Sequence, residues 1–573
     1  MTEKLDQEKV ANSTFDEADF HIDDNHGPEP TEEDWKNCRE VADKVPISAY
    51  LVIVIEFCER FTYYGLSGPF QNYIQNPAPE SYPAEQPGAL GRGQQTATAL
   101  NTFFQFWCYV TPIIGAVIAD QYLGKYRTIL TFSIIYFIGL VILTATASPM
   151  AIQNGASFPG FVVSIIVIGL GTGGIKSNVS PLVAEQYQSK VPYIKTTEKG
   201  ERVIVTPQAT YQKIFNMFYW GINVGSLSAV ATTELEKNVG FWPAYLLPTL
   251  MFIPGILVVF LGRKRYVQNP PRGSVFVEAG KLFWYSFKVK GGLEACKPSN
   301  LAIDHPDLAA RATWDDVFVD ELKRALRACV VFCWYPIYWL CYNQMTSNLV
   351  SQASTMWVGN VPNDIMQNID PLVLIITIPL MDRIVYPGLR RIGIPMRPIF
   401  RITLGFLFAA VAMGYTAGIQ AKIYRAADAG EPPISAGYQI PSYVFIAFSE
   451  IFASITGLEY AYKKAPQSMK SIVMAIFLFS NCFASILNFA LVPVDVDPKL
   501  TWMYTGVACA SGACAILVYI CHHKNDANDV ADDAIGRSGD KRMIIISLPW
   551  LSFYLGSDLM SYNTLMEMYH FIG

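Results

Sequence analysis

Charge is scarce in this chain: Asp, Glu, Lys and Arg make up 16% of its 573 residues, against 51% for hydrophobic side chains. Soluble domains carry about 25% charged residues, so this composition excludes an ordinary soluble enzyme. Histidine is rarer still, six in all with two adjacent at His522-His523, and no His-rich, Cys/His or nucleophile constellation accompanies them. That disfavours a metal centre and a membrane-embedded enzyme. The eleven cysteines are odd in number and fall mostly inside apolar blocks. They offer neither a disulfide framework nor a metal-ligand spacing, and act as small apolar side chains. Residues 1–44 are acidic and polar, with no positively charged n-region ahead of an apolar core, so no cleavable signal is expected. Asn12-Ser-Thr14 has the form of a glycosylation acceptor, but on a cytosolic tail it would never meet the enzyme.

What the chain has in abundance is long apolar blocks. A helical span needs roughly 20 such residues, and blocks of that kind occur near 47–72, 98–119, 128–148, 159–183, 209–231, 241–262, 327–349, 370–388, 399–419, 441–462, 471–493 and 501–521. The expectation is an all-α polytopic membrane protein with about twelve spans in two six-helix bundles, residues 46–262 and 327–522. Between them lies a polar linker, 263–326, whose run from Asp315 to Arg327 is amphipathic and suited to lying at the inner surface or tethering the halves. Tails 1–45 and 523–573 flank the bundles, and the second ends in an apolar run, 543–573, that is Pro-broken and short for a span. Lys and Arg crowd one set of loops, at Lys125, Arg127, Lys190, Lys195, Arg263, Lys264, Arg390, Arg391, Lys463 and Lys464. The positive-inside rule then places both termini in the cytosol.

One stretch breaks the apolar pattern of the first span: Glu56-Phe-Cys-Glu59-Arg60-Phe-Thr-Tyr63-Tyr64-Gly65. Helical spacing brings Glu56, Glu59, Arg60 and Tyr63 onto one face, with Tyr64 beside Arg60. A lone charge at the centre of a bilayer costs at least ~2.5–3.5 kcal/mol, so this stripe should face a wet cavity or partner charges. A purely structural Glu–Arg lock is the alternative.

Further polar groups recur along the chain. The second span ends in Asp120-Gln-Tyr-Leu-Gly124-Lys125-Tyr-Arg127, a tight basic turn. The fourth span contains Gly169-Leu-Gly171-Thr-Gly173-Gly174-Ile-Lys176, which satisfies G-x-G-x-x-G but lacks the preceding strand that a dinucleotide site needs. Those glycines are expected to permit close helix packing, leaving Lys176 as a cation at membrane depth able either to meet Glu56 or Glu59 or to snorkel outward. The fifth span carries Phe218-Tyr219-Trp-Gly-Ile-Asn223-Val-Gly225-Ser226-Leu227, and the tenth an isolated acid, Glu450.

Together these stretches resemble the proton-dependent oligopeptide transporter family of the major facilitator superfamily, most closely its fungal peptide-permease branch, over roughly residues 45–525. The E-x-x-E-R-F-x-Y-Y-G, G-T-G-G-I-K and F-Y-x-x-I-N-x-G-S-L patterns are all met. The resemblance implies proton-coupled symport of di- and tripeptides by alternating access, in a monomer of the plasma membrane with the proton as coupling ion, no other cofactor, no metal and no nucleic-acid partner. It implies proton-coupling roles for Glu56, Glu59, Arg60 and Lys176. It also implies that Arg60 and Lys176 take the peptide carboxylate, Tyr63, Tyr64 and Tyr109 shape side-chain pockets, Asn223 bonds the peptide backbone or amino end, and Glu450 takes the α-ammonium. Asp370 and Ser480 would line the pocket, as would Phe477 unless it serves in core packing. One departure stands out. The seventh span, Tyr338-Trp-Leu-Cys-Tyr342-Asn343-Gln344, has no carboxylate where the family often has one, and neither amide can titrate. A peptide receptor that moves nothing, and a same-fold transporter of another small anion such as nitrate, are the competing functions.

Overall fold

The computed structural model describes residues 27–536, apart from 190, 198–199, 272, 290–291, 393–395, 465 and 467–468. Asn12, most of the acidic tail and the apolar run 543–573 lie outside the described residues.

Helices occupy the apolar blocks, because in hydrocarbon a helix is one of the few ways for a backbone to satisfy its own polar groups. Among the described residues nine helical stretches are long and apolar enough to cross a bilayer: Gly93–Leu123, Lys125–Thr146, Ser157–Glu185, Phe241–Lys264, Asp316–Ser354, Pro398–Asp428, Ala436–Tyr460, Ile472–Val494 and Leu500–His523. The other three expected spans fall on Ile47–Ser67, Pro207–Ser226 and Ile369–Leu380. Composition sets the first two apart: the first contains Glu56, Glu59 and Arg60, and the second begins with Gln208, Gln212, Lys213 and Asn216. The third continues after twelve residues into a π-helical turn, Met381–Val385.

The chain divides into two compact units. The larger holds Ile47–Gln186 and Phe215 onward. In it the first-span helix packs on the sixth (Phe241–Leu261), the fourth (Ser157–Lys176) lies between the second (Gly93–Ile118) and the third (Lys125–Thr146), and the ninth (Pro398–Asp428) packs on the tenth and twelfth. The seventh helix (Tyr335–Asn343) packs on the eleventh (Lys470–Leu491), which in turn meets the second and so joins the two halves. Buried rings fill the first half, where Phe70 sits edge-on to Phe104, Phe161 and Tyr245 with centroids 5.0–6.1 Å apart.

Hydrogen bonds stitch the halves together at the end carrying the loops that follow the first, fifth, seventh and eleventh helices. Gln94 and Thr98 both donate to Asn348 Oδ1, at 3.2 and 3.0 Å. Asn488 donates to Thr102 Oγ1 at 2.6 Å, and Lys237 to the Val361 carbonyl at 2.9 Å.

The amphipathic linker forms the helix Asp316–Cys329, capped where the Phe318 N–H donates to Asp315 Oδ1 at 2.8 Å. It buries Val319, Leu322, Ala325 and Ala328, packs on the eleventh helix, and runs through a 3₁₀ turn, Val330–Trp334, into the seventh.

The smaller unit combines Met1–Pro46 with Tyr187–Ile214. It contains a three-stranded sheet that the sequence analysis did not expect: β2 (Tyr193–Thr196) and β3 (Arg202–Val205) pair antiparallel, and β1 (Glu40–Val41) runs parallel to β3. The fold is therefore all-α in its bundle, with this small sheet formed by the tail and the loop before the fifth helix.

Candidate functional site

Arg60 is the centre of the polar stripe. Its Nη2 lies 2.6 Å from Glu59 Oε2 and its Nε 3.1 Å from Glu56 Oε1, with Arg60 only 2% exposed and Glu59 fully buried. Two acids thus share one guanidinium inside the bundle, where an unpaired charge would be most costly. The fifth helix closes over this point at Gly225, where a Cβ would sit 3.0 Å from Arg60 Cβ and 2.9 Å from the Phe61 nitrogen. A glycine is needed for that approach.

Lys176 takes a different partner. Its Nζ lies 4.4 Å from the centroid of the Tyr109 ring, and Arg60 rather than Lys176 pairs with the two acids. The glycine run sets this up. A Cβ on Gly173 would lie 2.5 Å from the Thr111 backbone, one on Gly115 2.5 Å from the Gly173 carbonyl, and one on Gly171 2.6 Å from Tyr136 Cα. Thr111 Oγ1 donates to the Gly169 carbonyl at 2.8 Å and Asn178 Nδ2 to the Gly115 carbonyl at 3.3 Å, so the crossing is also hydrogen-bonded. The glycines therefore pack helices, and they bring Lys176 beside the second helix.

A cavity of about 120 Å³ opens between the halves. Tyr63, Tyr64 and Tyr109 line it from the first half, and Tyr342, Asn343 and Pro371 from the second. Tyr63 stacks on Phe104 with centroids 5.7 Å apart and stands 5.4 Å from the Arg60 guanidinium, so it links the charged stripe to the cavity wall. Glu56, Glu59, Arg60, Lys176, Asn223, Glu450, Asp370 and Ser480 are not among the lining residues. Asn223 donates to the carbonyl of Tyr219 on its own helix at 2.9 Å. Ser480 accepts from Trp339 Nε1 at 2.9 Å, and Phe477 is buried among Phe332, Tyr335 and Trp339 as core. Asp370 is buried beside cavity-lining Pro371. Glu450, also buried, opens a π-helical turn, Glu450–Ile455, within electrostatic reach of Tyr109 and Tyr338. Such turns often mark functional positions.

The model of the POT family matches residues 126–506. The chain is 51% identical over 508 residues to the probable peptide transporter ptr2 of Schizosaccharomyces pombe, covering 87% of this chain and 81% of that one. It is 46% identical over 510 residues to the peptide transporter PTR2 of Saccharomyces cerevisiae, covering 87% and 83%. This chain belongs to the POT family. Among solved structures, an auto-inhibited POT family peptide transporter superposes with a TM-score of 0.65 at 25% identity over 83% of this chain and 96% of that one. PepTSo, another POT family transporter, superposes with 0.67 at 23% identity over 85% and 99%. The bundle is thus a POT fold, a multi-pass membrane architecture, as its motifs led one to expect.

Among the cavity residues of this POT protein that escaped the motif-based reading are Asn101 and Gln105. With Tyr109 they recur at i, i+4 and i+8 along the second helix, the polar equivalent of an apolar stripe. That periodicity is visible in the sequence to anyone who looks for polar residues at helical spacing within a span.

Proposed function

We propose that this POT protein is a symporter that uses the entry of protons to take up di- and tripeptides by alternating access, and that it is a transporter and not an enzyme. The single observation that carries the proposal is Arg60 held between Glu56 and Glu59 directly behind Tyr63, a wall of the cavity. Protonating either acid weakens its hold on the guanidinium and frees Arg60 for the carboxylate of a peptide, a planar anion that an arginine fork matches well. Lys176 supplies a second cation and Glu450, from the other half, the acid for the α-ammonium. Tyr63, Tyr64 and Tyr109 shape the side-chain pockets, with Asn223, Asp370 and Ser480 in supporting contacts.

Proton and peptide then favour the same state, and linkage requires each to tighten the other's binding equally. The membrane potential contributes about 2.3 kcal/mol per charge per 100 mV. The halves 46–262 and 327–522 rock about the cavity, with both termini in the cytosol and the loop end stitched by Asn348 and Lys237 facing outside. The fungal relatives named as peptide transporters support a peptide substrate. A monomer in the plasma membrane is the simplest setting, and no cofactor beyond the proton enters the scheme.

Purified protein in liposomes, given labelled dialanine with an inward proton gradient imposed or collapsed, tests this. Accumulation only with the gradient is the expected result. Equilibration without accumulation would remove proton coupling, and binding without flux would make the protein a receptor.

A further inference from the structure

Two carboxyl groups outside the stripe meet at the stitched end of the bundle. Glu236 lies in the helix Ser228–Asn238, past the expected fifth span, and Asp364 in the 3₁₀ turn Asn363–Asn368 that precedes the eighth. Both are 0% exposed. The amides around them give the pair one hydrogen: Asn72 Nδ2 donates to Glu236 Oε1 and to Asn363 Oδ1, each at 2.8 Å, while Asn363 Nδ2 donates to Asn72 Oδ1 at 3.0 Å and the Val350 carbonyl at 3.1 Å. Glu236 Oε2 and both carboxyl oxygens of Asp364 are left buried with no side-chain donor, and the two side chains stand within hydrogen-bonding reach of each other.

We infer that Glu236 and Asp364 form a second proton-binding site, in which one proton is held between carboxyl groups contributed by the two halves. Two ionised carboxylates facing each other in a dry site repel, whereas a single proton converts the contact into a short O–H···O⁻ hydrogen bond. The surrounding charges relieve the repulsion only in part. Lys237, whose ammonium bonds the Val361 carbonyl at 2.9 Å, favours an ionised Asp364, Glu234 opposes it, and the other titratable groups facing the pair among the described residues are the phenols of Tyr82, Tyr245 and Tyr443. Burial pushes both carboxyls above their ordinary range, and the facing Asp364 raises Glu236 further.

The site exists only while the halves touch here, since Glu236 comes from the first and Asp364 from the second. On the reading that the halves rock apart during transport, the proton is bound as this end closes and released as it opens. The joined arrangement binds more protons than the parted one, so lowering the pH favours it.

The test is infrared difference spectroscopy of the purified protein in lipid, with neither peptide nor gradient, which keeps it independent of whether transport occurs. A protonated-carboxyl band that disappears as the pH is raised is expected in the wild type. In Glu236→Gln and in Asp364→Asn, both near-isosteric and checked for folding by gel filtration, the band should lose one carboxyl's intensity. Equal bands in the wild type and a folded variant would overturn the proposal. A hydrophobic carbodiimide applied to the unsubstituted protein, with the modified residue located by mass spectrometry, asks the same question without a substitution. Modification at Glu236 or Asp364 that declines with rising pH supports the site, and absent or pH-independent modification counts against it.

Discussion

Arg60 reaches Glu59 at 2.6 Å although the two are neighbours in sequence, and adjacent residues on a helix project about 100° apart. The guanidinium bends across its own helix to do so while its Nε holds Glu56 one turn back at 3.1 Å. Both carboxylates thus depend on one cation. Glu59→Gln keeps the volume and removes the charge, so the fold should survive while gradient-driven accumulation of dialanine falls to the level of equilibration and peptide counterflow persists. A Glu59→Gln protein that still concentrates peptide would show that the coupling proton binds elsewhere. Arg60→Met, by contrast, abandons two buried acids and should cost about 3–5 kcal/mol of stability.

The 4.4 Å stacking of Lys176 on Tyr109 makes a second prediction. A desolvated cation–π contact contributes about 2 kcal/mol, equivalent to roughly 30-fold in an equilibrium constant. If the ring holds the ammonium ready for a peptide carboxylate, Tyr109→Leu should raise the peptide concentration for half-maximal uptake by up to about that factor. Tyr109→Phe, which keeps the ring, should change it little. Equal effects of the two would assign Tyr109 a role through its hydroxyl.

Helix crossing supplies a third. An added Cβ at Gly173 meets the Thr111 backbone at 2.5 Å, and backbone cannot swing aside as a flexible side chain can. Overpacking of this kind costs typically 1–3 kcal/mol, so Gly173→Ala should lower the unfolding temperature of the solubilised protein and displace Lys176, reducing uptake as well. Gly280, in the linker helix Val275–Lys288, has open space where its Cβ would be. There Gly280→Ala should stabilise the helix by roughly 0.5–1 kcal/mol. Similar thermal shifts for both would refute the packing argument.

These cases show what was legible beforehand. The stripe Glu56, Glu59, Arg60 could be read because three charges stand within one apolar helix and helical periodicity alone puts them on one face. The packing role of Gly171, Gly173 and Gly174 was equally local. Lys176 is recognisable in the sequence as a cation at membrane depth, but its choice of Tyr109 over the acids depends on how the fourth helix crosses the second, a tertiary fact. Glu450 was found, but not the π turn it opens, because one extra residue in a helical turn leaves no mark on composition. The sheet of Tyr193–Thr196 and Arg202–Val205 had a β-branched cue in Val203-Ile204-Val205, and its third strand comes from a segment distant in sequence. The pair of Glu236 and Asp364 had no sequence signal, since each looks like an ordinary loop-proximal acid until the halves meet.

Asp495 offers the last prediction, a dependence on pH. It caps the turn Val492–Val494 after the eleventh span, and its carboxyl oxygens accept from Asn348 Nδ2 at 3.0 and 3.1 Å, the same residue that Gln94 and Thr98 bond from the first half. Burial raises Asp495 from 3.8 to about 6, against the opposing pull of its hydrogen bonds. The sign follows from proton counting. The folded protein binds this proton more tightly than the unfolded chain does, so the stability it contributes is complete below about 3.8 and is lost as pH rises through about 6. At 1.36 kcal/mol for each pH unit of difference, the change across that window is at most about 3 kcal/mol. Asp495→Asn retains an acceptor for Asn348 and removes the titration. Unfolding temperatures measured from pH 4.5 to 7 should therefore fall more steeply for the wild type than for Asp495→Asn, and parallel curves would mean that Asp495 ionises in the folded protein as freely as it does in water.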